Sequence, residues 1–181
     1  MTIYLRPIKL EDGANIVKWR NSPKVSNHCF DKNILTLKDN EHFFNKYILT
    51  GKYIQFIVEC IEEQYGAASY PIATVYLKDM DMVNRRCELC IFTSDDEEWN
   101  TESQSIAIKE LLGKAFTEYA MHKVYTYVFA ENQDEILLMS RTGFSEEALL
   151  RKEAVNNKKE YVDVYRMSIF EEEYNKKKSK Y

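Results

Sequence analysis

The run Cys87-Glu88-Leu89-Cys90 sets two thiols three residues apart with a carboxylate between them. That spacing suits disulfide exchange or half of a zinc site. Either chemistry needs both sulfurs on one side, and a helix start usually supplies that. Residues 86–93 instead read as a strand, where positions three apart face opposite ways. The pair is therefore read as structural. Glu88 then shares a face with Cys90, opposite to Cys87 and Leu89. Zinc would also need two more ligands, and His28, His42 and His122 show no paired spacing. His122 reads as a capping or packing residue, Cys29 and Cys60 have no partner spacing, and no metal is expected.

A second chemically loaded stretch is acidic. Asp95, Asp96, Glu97, Glu98 and Glu102 place five carboxylates within eight residues, around Trp99 and Asn100. Acids before a helix suit its positive end, but they also repel any phosphate brought there. The five glycines, Gly13, Gly51, Gly66, Gly113 and Gly143, lie too far apart for a glycine-rich phosphate loop. This disfavours a Rossmann dinucleotide domain and a Walker-type nucleotidase. A net charge of −4 disfavours a dedicated nucleic-acid partner. No apolar run is long enough to span a membrane. The opening Met-Thr-Ile-Tyr-Leu-Arg-Pro does not resemble a secretory leader. A cytoplasmic protein with reduced cysteines is expected.

The elements that must position these groups follow from periodicity. Strands are predicted over 3–7, 53–61, 72–77, 87–93 and 123–129, with turns over 62–69 and 79–85. Helices are predicted over 12–20 and 37–49, the second burying Phe43, Phe44, Tyr47 and Ile48 and stopping at Gly51. A long helix follows Asn100. Thr101 with Gln104 fits a capping box, and Ile108, Leu111, Leu112, Ala115, Phe116 and Tyr119 mark its buried face. A short helix over 134–141 should end at Gly143. A hairpin over 144–155 and 161–170 turns at Asn156-Asn157. Residues 171–181 read as a charged, frayed tail on a single domain spanning 1–170. The whole is an α/β (α+β) domain with a mixed sheet and helices on both faces.

In this order the chain resembles the GNAT acetyltransferases, in the branch of ribosomal-protein alanine, spermidine and aminosugar N-acetyltransferases. The resemblance rests on several short runs. Tyr4-Leu5-Arg6-Pro7 with Leu10-Glu11-Asp12 opens the chain, and Trp19-Arg20-Asn21 with Val25 follows. Arg85 to Ile91 looks like the branch's fourth strand, and Trp99 is its aromatic before the phosphate loop. Ala115-Phe116, His122 to Val124, Asn132, Arg141 to Phe144 and Tyr161-Val162-Asp163 complete it. The resemblance implies acetyl transfer from acetyl-CoA to a primary amine by direct attack. It implies a cleft where strands four and five splay apart. There the backbone of Ile91, Phe92 and Thr93 would pair with pantetheine as an added strand. Trp99, Asn100, Thr101, Glu102, Ser103 and Gln104 would meet the pyrophosphate at the helix start, with Asn132 and Arg141 also on the cofactor side. Trp19 and Asn21 would lie on the acceptor side. Glu88 would be the base, unless it forms a sheet-face ion pair with Arg85, Arg86 or a neighbouring strand.

Two positions depart from the family. Counted back from Phe116, the phosphate-loop glycines fall on Asn100 and Glu102, and glycine matters there because a Cβ obstructs approach to the pyrophosphate. The tyrosine that many relatives carry seven residues past the asparagine is Met139, which cannot donate a proton. These departures motivate an alternative, a catalytically impaired binding module on the same fold. A further alternative is a polyamine acetyltransferase, since the acidic loop attracts cations. The expected acceptor is a small-molecule amine, an aminosugar or a protein N-terminus, and the aromatic residues could serve a core or a homodimer interface.

Overall fold

The computed structural model describes residues 2–62, 68–92 and 94–178. A seven-stranded mixed sheet runs in the order β1-β2-β3-β4-β5-β7-β6. The strands are β1 (Thr2–Pro7), β2 (Ile54–Glu62), β3 (Ala68–Asp81), β4 (Arg86–Phe92), β5 (Lys123–Phe129), β6 (Ser145–Val155) and β7 (Tyr161–Phe170). All neighbours are antiparallel except β4 and β5. The expected mixed sheet with splayed fourth and fifth strands is thus present. Parallel pairing covers only Arg86↔Lys123, Cys87↔Val124 and Glu88↔Tyr125.

Period-two alternation divides the sheet faces. Phe56 and Val58 on β2, Val75 and Leu77 on β3, and Cys87 and Leu89 on β4 face one main core. Helix α4 (Thr101–Thr117) presses Ala107, Ile108, Leu111, Leu112, Ala115 and Phe116 into it. Its predicted buried face is therefore observed, with Tyr119 packed at the margin. Ile57 points the other way, onto Ile16 and Trp19 of α1 (Gly13–Asn21). Arg6 fixes the entry to α1. Its guanidinium grips Asp12 at 2.7 and 2.8 Å and reaches Glu59 at 2.7 Å. A charge-assisted fork of this kind is among the stronger polar contacts. Gly13 lets α3 (Leu37–Phe43) approach, since a Cβ there would meet Asn40 Nδ2 at 2.9 Å.

Several local expectations change. The start of α4 is capped by Asn100 and not by a Thr101–Gln104 box; Gln104 donates instead to the Trp99 carbonyl at 3.1 Å. The second helix does reach Ile48, but its last turn widens to a π-helix over Phe44–Ile48. Its aromatics are only half-buried, packing on one another and on Tyr53. β3 continues to Asp81, beyond the predicted turn start at 79. Residues 171–178 form α6 (Glu171–Lys178) and not a frayed tail. The Tyr174 ring packs tilted against Phe116, centroids 5.1 Å apart, and ties the charged segment to the core. The turn around Gly66 lies outside the described residues. A four-residue helix α2 (Pro23–Ser26) follows α1, and α5 (Gln133–Thr142) ends at Gly143 with φ +118°, a conformation glycine adopts without strain.

Candidate active site

Because β4 and β5 part after Glu88, the β5-facing edge of β4 from Leu89 to Phe92 has no strand partner. The opening is a cleft of about 350 Å³. Its floor comes from β4 (Glu88, Cys90, Ile91, Phe92) and β3 (Tyr76, Lys78). One wall comes from α2 and the loop after it (Val25, His28, Phe30), and the other from Tyr127, Asn132 and Glu135.

Glu88 is 5% exposed and faces this cleft with Cys90, while Cys87 and Leu89 on the opposite face are fully buried. The strand parity expected for the two cysteines is therefore observed, and the four cysteines are free. Glu88 Oε1 receives a hydrogen bond from the Cys90 thiol at 3.2 Å and an ion pair from Lys78 Nζ at 3.0 Å. Lys78 sits directly opposite on β3. Both uses considered for Glu88 thus coexist, since it lines the cleft and pairs with a neighbouring strand. Burial pushes the Glu88 carboxyl above the usual range, against the pull of Lys78. A carboxyl raised in this way is a better proton acceptor than a solvated one. Burial also holds the Cys90 thiol well above its ordinary value, so it stays protonated beside Glu88.

Glu135 gives the cleft a second carboxyl. Asn132 caps α5, accepting from the Glu135 N–H, and its Nδ2 donates to Glu135 Oε2 at 2.6 Å. Burial pushes Glu135 up from an ordinary 4.5 to about 7, with the Asn132 bond opposing the shift. Neither Glu135 nor Lys78 was expected from sequence. Glu135 stands three past a helix-capping asparagine, a signal visible in the chain. Lys78 becomes a neighbour of Glu88 only through strand register.

The other expected site residues divide. Ile91, Phe92 and Asn132 line the cleft, and Thr93 lies outside the described residues. Arg141 is exposed on α5 and does not line it. Met139 is fully buried in the main core, so the cleft receives no proton donor from that position. Of the two tyrosines on β5, Tyr127 lines the cleft. Tyr125 lies outside it under the Arg166 guanidinium, 4.4 Å from the ring centroid. Trp19 is 6% exposed within the α1 core. Asn21 exchanges two 2.8 Å hydrogen bonds with the backbone of Leu35. Neither borders the cleft; Arg20, between them, does.

The start of α4 is built differently. Asn100 Oδ1 accepts from the N–H groups of Glu102 at 3.0 Å and Ser103 at 3.3 Å. Those are two of the free donors that would otherwise face an anion. Ser103 Oγ is turned inward and bonds the carbonyls of Glu98 and Asn100. Trp99 is buried in the main core with Nε1 unpartnered among the described residues, closed off from any phosphate. Trp99, Asn100, Thr101, Glu102, Ser103 and Gln104 thus sit together, apart from the cleft's described lining. An acyl-pantetheine arm fits the free edge of β4. A pyrophosphate does not fit this helix start.

The site is thus a sheet opened between two parallel strands, with a buried carboxyl where they part. The chain belongs to the acetyltransferase (GNAT) domain family, whose model matches residues 2–145. It is 27% identical over 173 residues to spermidine N(1)-acetyltransferase of Escherichia coli K12, covering 96% of this chain and 88% of that protein. It also superposes on the crystal structure of spermidine N-acetyltransferase from Vibrio cholerae in complex with CoA and spermine. The TM-score is 0.85 at 26% identity, covering 96% of this chain and 98% of that one.

Proposed function

We propose that this protein transfers an acetyl group from acetyl-CoA to a primary amine of a polyamine, with Glu88 as the base. The observation that carries the reading is the placement of Glu88, a buried carboxyl at the point where β4 loses its partner strand. The polyamine assignment draws on the spermidine acetyltransferase relatives and on the lining. The carboxyls of Glu88, Glu135 and Asp31 share the cleft with the rings of Phe30, Tyr53, Tyr76, Phe92 and Tyr127. Ammonium groups spaced by methylenes match both kinds of surface.

Glu88 takes the proton from the attacking ammonium, freeing its lone pair. The new N–C bond forms as the C–S bond of the thioester breaks. An N–H on the free edge of β4 supplies a donor to the carbonyl oxygen as charge develops there. The nitrogen sheds a second proton as the amide forms; one of the two protons goes to the departing thiolate and the other leaves to solvent, so acetyl transfer from an ammonium releases one net proton. Lys78 draws the Glu88 carboxyl toward its charged form, against burial. Incubation with acetyl-CoA and spermidine should yield N-acetylspermidine by mass spectrometry. No product from spermidine, spermine or putrescine, with aminosugars acetylated instead, would overturn the polyamine assignment.

A further inference from the structure

Within the acetyl-transfer reading just given, we propose that the enzyme recognises its acyl donor by the acylated pantetheine arm alone. It does not read the nucleotide pyrophosphate, so its donor class extends to simple acyl-pantetheine thioesters.

The argument begins with the donors at the head of α4. A helix start binds phosphate through free backbone N–H groups. Here the Glu102 and Ser103 N–H groups already hold Asn100 Oδ1, at 3.0 and 3.3 Å. The Ser103 hydroxyl, a natural further donor, points at two backbone carbonyls of its own loop. A pyrophosphate would have to displace an intramolecular partner that is present at no entropic cost of association.

Charge gives an independent reason. Five carboxylates occupy 95–102, and no lysine or arginine occurs from 94 to 108. Lys24, the cation that reaches this loop, is paired with Asp95 at 3.1 Å. Like charges so placed disfavour a polyanion. The cleft itself agrees, because its described lining stops at Ile91 and Phe92 on β4 and takes nothing from 94–104. The thioester end stays open while the nucleotide end is closed by the protein's own groups.

Calorimetric titration with CoA, pantetheine and adenosine 3′,5′-bisphosphate tests this, alongside kcat/KM for acetyl-CoA and S-acetylpantetheine with spermidine. CoA and pantetheine should bind within about threefold of one another, and the bisphosphate should not compete at millimolar concentration. Two lost charge-assisted hydrogen bonds correspond to about 10²-fold or more in affinity. CoA binding that much tighter than pantetheine would therefore overturn the inference and leave acetyl transfer standing. The Asn100→Gly/Glu102→Gly variant should gain at least about tenfold preference for CoA over pantetheine, on the same arithmetic. No gain would show that Asn100 and Glu102 are not what closes the site. Equal binding of CoA and pantetheine without acetylation of spermidine would support the donor inference and overturn the polyamine reaction. No binding of any of the three ligands would overturn both.

Discussion

The two ends of the donor-binding region have diverged in opposite senses. At the β4–β5 splay, the strand edge is free, a carboxyl is buried, and a lysine is placed to tune it. At the head of α4, the N–H groups of Glu102 and Ser103 and the Ser103 hydroxyl are turned on the protein itself. Asn100 supplies the anion-like oxygen, and acids surround it. The groups that shape the reacting atoms are therefore physically separable from those that anchor the rest of the donor. In such an arrangement, changes at one end should move one kinetic constant and leave the other alone.

Four perturbations sharpen or break that contrast. Glu88→Gln should lower kcat by about 10²–10⁴-fold, the usual worth of a general base, with the pantetheine dissociation constant unchanged. A variant that lost binding instead, by titration, would make the two ends one unit.

Glu135→Gln tests the cleft wall through stability. The folded-state pKa of Glu135 lies above its unfolded value, at about 7 against 4.5. The native state therefore favours the neutral carboxyl, and stability is lost as pH rises through that window. The variant should match the parent at pH 4 and exceed it at pH 8 by about 1–3 kcal/mol in urea unfolding. A constant difference at both pH values would remove the burial explanation.

Lys78→Met deletes the charge that pulls Glu88 down. The acidic limb of the kcat/KM profile should move to higher pH. An unmoved limb would mean that some group other than Glu88 sets it. The smallest effect concerns salt. Because acids surround the α4 start, CoA affinity should rise about threefold as added salt shortens the screening length from 0.05 to 0.3 M. Pantetheine affinity should stay flat, and a fall for CoA would reveal a phosphate contact after all.

Much of this arrangement was legible in the chain because it is written in short-range patterns. The alternation through Cys87–Cys90 sets Glu88 and Cys90 on one face of the strand and Cys87 and Leu89 on the other. The three-four spacing through Phe116 gives the buried side of α4, and Gly143 gives the end of α5. What escaped depends on distance in space. Lys78 meets Glu88 through the pairing of two antiparallel strands, and Glu135 acquires its raised pKa from a wall built by several elements. Asn100 reads in the sequence as a missing glycine, but its role as the cap of α4 follows from where the helix begins, one residue before the cap that a Thr101–Gln104 box implies. The helix at 171–178 shows no periodicity because its ties are long-range and few: the Tyr174 ring on Phe116, the Arg85–Glu171 ion pair and the Glu171 N–H on the His122 carbonyl.

The strand order also sets a schedule for synthesis. β1 to β4 each pair with a strand adjacent in sequence, so that half of the sheet can close as it leaves the ribosome. β5 meets β4 over three residue pairs but meets β7 over seven, and β7 begins only at Tyr161. While α5 and β6 are being made, β5 lacks the neighbour that holds it. The cleft acquires its second wall late, and a nascent chain stalled before Tyr161 would carry Glu88 on a sheet with one side still open.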